Sequence, residues 1–290
     1  MDSTTPAGGE ITHVSDTTLM AAACRGLENE QEDAFVRDAF AARLAGERGL
    51  AILNALPHAA IFRFGVAIRT RFVDELLLEA LAAHSIHTVL SAGCGLDTRP
   101  WRLALPPDLR WIEIDFAEML DYKERLMADE APRCRRERLS VDMNDAAQRS
   151  LIYATAGAEP SLMITEALLM YLPAGTVEAL AAETSSRNSI VHWISDITTS
   201  GFSRAVSGGD NSAMQSIRRV QASDALPGEQ ILDVLGRYGW RMAASRSYIT
   251  DVGFTRDRVR RMMGGADPPR PPIPPGDVTG VHRFARVWSA

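Results

Sequence analysis

Between His87 and Ile197 the sequence alternates short apolar runs with longer amphipathic ones, and few architectures accommodate that pattern. The runs "HTVLSAG", "RWIEID", "RLSVDM", "SLMITEA" and "SIVHWISDI" are separated by "FAEMLDYKERLMADE", "DAAQRSLIYATAG" and "AGTVEALAAETSSR". Strand-length runs without an exposed face are characteristic of parallel strands covered on both sides. Alternation at this spacing predicts βαβ units, hence an α/β fold with a doubly wound, mostly parallel sheet. Towards the C-terminus a helix, "QILDVLGRYGW", is followed by "RMAASRSYIT" and "VHRFARVWSA" without a helical crossover between them, which predicts an antiparallel edge strand. The proline-rich "DPPRPPIPPG", Asp267–Gly276, reads as a stiff surface loop between them.

Ahead of the alternating region, residues 1–13 read as a flexible arm and 14–84 as an N-terminal helical cap. Asp16 or Thr17 is the expected N-cap, Gly46 and Gly49 break the first helical pattern, and "RTRFVDELLLEALAAH" is a further helix. Residues 85–290 then form the main domain. The Gly- and Ser-rich stretch 198–224 is a candidate lid insertion within it.

Composition narrows the partners. The 290 residues carry 31 Lys+Arg and 37 Asp+Glu, a net charge of −6, so no broad basic face for nucleic acid or anionic lipid is expected. The basic run "RCRRER" at Arg133–Arg138 lacks interleaved aromatics and reads as a solvated loop. Cys24, Cys94 and Cys134 are scattered, without metal-ligand or disulfide spacing, so no metal is expected and the compartment is read as reducing. No signal pattern or membrane-spanning stretch is evident, and a cytoplasmic protein acting on a small molecule is the expectation.

The chemistry is expected at "HTVLSAGCGLDTRPWRL". Gly93-Cys94-Gly95 follows the first strand of the sheet, where Gly-x-Gly lets backbone approach a ligand. A dinucleotide loop would place a third glycine at Thr98, and Asp97 beside it would oppose a pyrophosphate. A cationic ammonium or sulfonium suits that acid better, which points to S-adenosylmethionine rather than NAD. Asp115 ends the next strand, 20 residues after Gly95, the offset of a ribose-binding carboxylate. Asp142 and Glu166 fall at later strand ends, and such ends share one crevice. Tight strand–helix packing for the glycines and helix capping for Asp115 are the competing readings.

"VLSAGCGLDTRPWRL", "IEIDFAEMLDYKERLM", "SVDM" and "ITEALLMYLP", with the leader "TTLMAAACRGLENEQEDAFVRDAFAARLAG" and "AIRTRFVDELL", resemble the leucine carboxyl methyltransferase family, especially its bacterial branch with the tetracenomycin-type polyketide O-methyltransferases. The likeness runs from about Val14 to Leu172. It implies a class I, Rossmann-like, S-adenosylmethionine-dependent methyltransferase. It further implies that Arg69 binds the methionine carboxylate, Gly93 and Gly95 lie against the methionine part, Asp115 takes the ribose, and Asp142 with Met143 holds adenine. Glu166 matches a glutamate near the cofactor and Tyr171 the tyrosine shortly after it. The sequence departs from the family pattern at Ser91-Ala92, Ala117, Ala167 and Ala39, where the family has Leu-Gly, proline, glycine and proline.

Methyl transfer to an already ionised carboxylate needs no general base, whereas a phenol would benefit from one, for which Tyr171 and His192 are the candidates. Phe35, Phe40, Phe62, Phe64 and Phe202 are candidate walls of an apolar acceptor pocket, and Arg204, Arg218 and Arg219 candidate anchors for an acceptor carboxylate. The expectation is therefore an O-methyltransferase acting on a carboxylate or phenol of a small, largely apolar, polyketide-like metabolite. Protein C-terminal carboxyl methylation, an NAD-dependent oxidoreductase and a non-catalytic scaffold are the alternatives. Oligomeric state is left open.

Overall fold

The computed structural model describes residues 10–57, 59–207, 215, 217–262, 264–266, 273 and 276–286. Three helices come first: α1 (Val14–Asn29), α2 (Ala41–Ala55) and α3 (Ala59–Ala83). The N-cap of α1 is His13, not Asp16 or Thr17; Asp16 instead reaches back, its Oδ2 accepting the Thr12 and His13 amides at 2.8 and 3.2 Å. That satisfies N-terminal donors that the helix itself cannot pair. Gly46, at φ +56°, kinks α2.

The alternating region follows: β1 (Thr88–Ala92), the single turn α4 (Arg99–Arg102), β2 (Arg110–Asp115), α5 (Ala117–Leu126), β3 (Arg135–Ser140), α6 (Ala146–Ala156), β4 (Ser161–Thr165), α7 (Ala174–Ser185), β5 (Ile190–Ile197) and α8 (Ser200–Ser207). The chain continues with α9 (Gly228–Arg237), β6 (Trp240–Ser247), α10 (Arg256–Met262) and β7 (Gly280–Arg286). Seven strands form one sheet in the order β3-β2-β1-β4-β5-β7-β6; β7 runs antiparallel to both β5 and β6, and the other pairings are parallel. This is the class I methyltransferase topology, with the antiparallel pairing at the expected end of the sheet.

Successive residues of the inner strands feed opposite cores, as a two-residue period requires. Val89, Leu162 and Ile194 pack against Phe72, Val73, Leu76 and Leu77 of α3. Their neighbours Leu90, Met163 and Trp193 pack with Ile152 of α6, Leu180 of α7 and Leu235 of α9. A third cluster joins α1 and α2 to Leu96 and Trp101, seating the helical cap on the loop after β1.

The basic run is corrected: Arg135–Arg138 lie in edge strand β3, not in a loop. Arg136 pairs with Glu113 and Glu124, and Arg138 with Asp121. Charges along an edge strand discourage pairing with another chain. Residues 1–9 of the arm, 208–214 and 216 of the insertion and most of the Asp267–Gly276 stretch lie outside the described residues.

Candidate active site

A cavity of about 510 Å³ opens at the C-terminal ends of β1, β4 and β5, roofed by α1, α3, α8 and the segment before α9. Gly93 and Gly95 adopt φ +61° and +44°, in the left-handed region that disfavours side chains. A Cβ at Gly93 would come within 2.8 Å of Leu168 Cδ1, and one at Gly95 within 2.7 Å of Thr18 Cγ2. The turn is therefore bare both to bend and to admit α1 and the loop after β4. Packing and site formation are one requirement here.

Charge in the cavity is organised around Glu166. Arg69 Nε donates to Oε1 at 2.9 Å, and Arg99 Nη2 lies 2.8 Å from Oε2. Burial by itself would raise this carboxyl, but the charges of Arg99 and Arg69 outweigh it and hold it at about 2. Arg99, 2% exposed, also binds Asp74 and Asp97, at 2.6 and 3.0 Å. Asp97 is thus neutralised within its own loop and accepts the Arg99 amide at 3.0 Å, so it is not the free acid facing a ligand that the sequence suggested. What disfavours a pyrophosphate instead is the helix that follows: four residues long, with a proline at its start, it offers few amides and little dipole.

Asp115 closes β2. Its Oδ2 accepts the Gly95 amide at 2.7 Å and its Oδ1 the Phe116 amide at 2.8 Å. Each oxygen accepts one backbone amide and keeps lone-pair capacity for a diol. Burial raises this carboxyl, partly offset by the two amides. Asp142 lies beyond the end of β3, where Oδ1 accepts the Asn144 amide at 2.9 Å, and Met143 is buried beside it. Asp115, Asp142 and Met143 stand on the β2–β3 side, outside the cavity wall that Arg69, Gly93, Gly95, Glu166 and Tyr171 form.

Tyr171, in the short 3₁₀ turn after β4, lines the cavity; burial raises its phenol, and the Thr17 side chain partners it. His192 is a correction. It sits near the start of β5, its ring 4.3 Å from that of His84, and Arg283 Nη1 donates to Nδ1 at 3.1 Å. Burial, then the Arg283 and His84 charges, lower it to about 4. Lying near the opposite end of β5 from the cavity and committed as an acceptor, it is no base for the reaction.

Of the aromatic candidates, Phe62 lines the cavity, whereas Phe35 and Phe64 pack edge to face at 5.7 Å, Phe40 joins the cap core and Phe202 lies 6.4 Å from Tyr248. Arg204 and Arg218 line the mouth, while Arg219 pairs with Glu10 at 3.2 Å. Sequence reasoning missed Arg99, although it lies in the quoted Asp-Thr-Arg run. It also missed Asp196, which ends β5 and faces the cavity. The signal that singled out Asp115 and Glu166, an acid at a strand's C-terminal end, applies equally to Asp196.

The topology and this cavity define a class I methyltransferase fold. Residues 18–185 match the leucine carboxyl methyltransferase family model, and the chain belongs to that family. It is 35% identical over 185 residues to a Streptomyces avermitilis protein named "putative S-adenosyl-L-methionine-dependent methyltransferase", covering 59% of this chain and 64% of that one. A Mycobacteroides abscessus protein of the same name is 35% identical over 181 residues, covering 59% and 58%. The match thus spans less than two thirds of either relative. Among solved structures, a DUF574 family protein from Streptomyces avermitilis superposes with a TM-score of 0.54 at 15% identity, over 92% of this chain and 96% of that one. A Thermobifida fusca protein described as a methyltransferase gives 0.51 at 14%, over 98% and 99%.

Proposed function

We propose that this protein is an S-adenosylmethionine-dependent O-methyltransferase acting on a small, largely apolar acceptor. The observation that carries the reading is the joining of Asp115 to Gly95 and of Arg69 to Glu166 around one strand-end crevice. The donor set fits a nucleoside bearing a zwitterionic tail. Asp115 keeps acceptor capacity for ribose hydroxyls. The 3.8 Å approach of Arg69 Nη1 to Asp196 is too long for a hydrogen bond, so that edge of the guanidinium has donors for a carboxylate. Gly93 and Gly95 leave the floor without side chains, and Asp142 with Met143 would bound the adenine.

The cofactor supplies a methyl group on a sulfonium, an electrophile whose positive charge disappears on transfer. The chain's contribution is to orient the acceptor oxygen in line and to exclude water, which removes much of the entropic barrier. Phe62, Val66, Ile217, Leu226 and Ile231 supply apolar wall for that purpose. A polyketide-like carboxylate or phenol and a role in natural-product biosynthesis belong to this proposal, as does a cytoplasmic location. No described helix is long and apolar enough to cross a membrane.

The test is incubation with S-adenosylmethionine and a panel of carboxylic and phenolic metabolites, with mass spectrometry for a gain of one methyl group. Methylated product with stoichiometric S-adenosylhomocysteine supports the reading. Binding of NAD in place of the sulfur nucleosides would replace it with an oxidoreductase.

A further inference from the structure

We infer that Asp196 is the proton acceptor for the methylated group, and that the acceptor is therefore a hydroxyl compound, a phenol, enol or alcohol, rather than a carboxylate. The inference rests on the methyl-transfer reading above and concerns the same cavity.

The other acids and bases lining the cavity are held by partners or kept protonated by burial, as the Cys94 thiol is. Both oxygens of Glu166 are held by arginines. Asp97 is held by Arg99 through both oxygens. His192 is elsewhere, and the Tyr171 phenol is raised by burial. Asp196 differs. Its side chain is 7% exposed, its Oδ1 accepts the Ala167 amide at 2.6 Å, its own backbone amide also bonds the carboxyl, and among the described residues the cation nearest Oδ2 is Arg69, with Nη1 at 3.8 Å. One oxygen of a nearly buried carboxylate thus keeps its acceptor capacity at the cavity wall.

The surroundings tune this group for proton uptake. The charged and titratable groups around Asp196 are Arg69 of α3, Glu166 after β4, Tyr171 in the 3₁₀ turn and Tyr248 after β6. Burial raises the Asp196 carboxyl and Glu166 adds to that, while Arg69 opposes it. Tyr248 is neutral at physiological pH, its phenol pushed well up by burial, and its buried hydroxyl has no hydrogen-bond partner among the described residues. A raised carboxyl is a stronger proton acceptor than a free one, which suits a general base. A carboxylate acceptor has no proton to give up, so a free acceptor oxygen at the wall has a role only for an acceptor that carries an O–H.

In the step, the acceptor O–H bond breaks and its proton passes to Asp196 Oδ2. The oxygen's electron pair forms the new O–CH₃ bond as the S–CH₃ bond breaks, its pair remaining on the sulfur. The proton then leaves to solvent. No further reactant is needed.

The test uses the full chain loaded with S-adenosylhomocysteine or S-adenosylmethionine, with 1-naphthol and 1-naphthoate as a matched pair of probes. The expected result is that wild type binds and methylates 1-naphthol in preference to 1-naphthoate, at a rate that rises with pH to a plateau. Asp196→Asn, which retains a carbonyl oxygen for the Ala167 amide, is expected to keep S-adenosylhomocysteine binding. It should lose roughly 10²-fold or more in naphthol turnover along with the pH dependence.

Ala167 is the one non-glycine residue at positive φ among those described, at +49°, so Asp196 could serve only to hold its amide. In that case Ala167→Gly in the Asp196→Asn background would restore activity, which would overturn the inference. Preference of wild type for 1-naphthoate, or acceptance of neither probe, would overturn it too. Loss of sulfur-nucleoside binding by wild type would instead refute the methyltransferase reading itself.

Discussion

Arg69 and Glu166 meet at 2.9 Å although 97 residues separate them in the chain. The contact fastens the helical cap, through α3, to the strand-end crevice of the sheet. It also leaves Arg69 at the cavity wall with part of its guanidinium unspent. Arg69→Ala is expected to weaken S-adenosylhomocysteine binding at least about tenfold, the loss of one charge-assisted hydrogen bond. Arg69→Lys keeps the charge but not the fork and should recover only part of it. Calorimetric titration of both variants, with circular dichroism to confirm folding, checks this.

Asp115 is expected to act through its free acceptor capacity. Asp115→Ala removes both amide contacts and the diol acceptor, and should cost affinity for the adenosine moiety by roughly 1.5–3 kcal/mol, a charged hydrogen bond's worth. Titration with adenosine and S-adenosylhomocysteine side by side would reveal whether the loss sits in the nucleoside half.

Beneath the glycine turn, Lys123 Nζ lies 2.8 Å from Glu113 Oε1 and donates to the Asp97 carbonyl at 3.0 Å, with both side chains almost wholly buried. Removing Lys123 leaves the wholly buried Glu113 carboxylate with Arg136 alone as counter-charge, at 3.3 Å. Lys123→Met should therefore destabilise by about 3–5 kcal/mol, while Lys123→Met with Glu113→Gln should recover much of that. Denaturant unfolding of the two variants makes the comparison; equal loss in both would contradict a paired buried charge.

The His84–His192–Arg283 group sets an acid sensitivity remote from the cavity. Arginine donates to the His192 ring, which favours the neutral form, and the folded value of about 4 lies below the ordinary histidine value of 6.5. Between those values the unfolded chain takes up a proton that the folded chain refuses. Stability is therefore fully present above about 6.5 and is lost as pH falls towards 4, levelling below that. After allowance for screening near half-buried Arg283 the contribution is roughly 1–2 kcal/mol. Melting curves of wild type and His192→Gln across this range should converge as the pH falls.

The sheet was legible because its inner strands β1, β2, β4 and β5 are buried on both faces and so are mostly apolar. The run Arg110–Asp115 forms its strand end to end, and the acids at or just past the ends of β2 and β4 mark the crevice. β3 was misplaced because an edge strand can carry arginines paired to neighbouring acids, which erases the apolar signal. Helix α10 was missed for a related reason. It is short and polar, and is held by Arg258 pairing with Glu28 and Asp33 of the cap, contacts more than 220 residues distant that no local pattern encodes. In the site, the glycines and Asp115 could be read from spacing, but the partners of Arg99 could not. Asp74, Asp97 and Glu166 converge only once α3, the β1 loop and the β4 loop are assembled. His192 was misread because alternation places a residue on a face of the sheet without saying which end of the strand it occupies.

The central claim is that the cavity at the ends of β1, β4 and β5, with Asp115 beside it at the end of β2, binds S-adenosylmethionine. Calorimetric titration of the purified protein with S-adenosylmethionine and S-adenosylhomocysteine, with NAD as the control, tests it most directly. The account predicts saturable one-to-one binding of both sulfur nucleosides, weakened by Arg69→Ala and by Asp115→Ala, and none of NAD. Absence of binding by either sulfur nucleoside, or unchanged affinity in both variants, would contradict it.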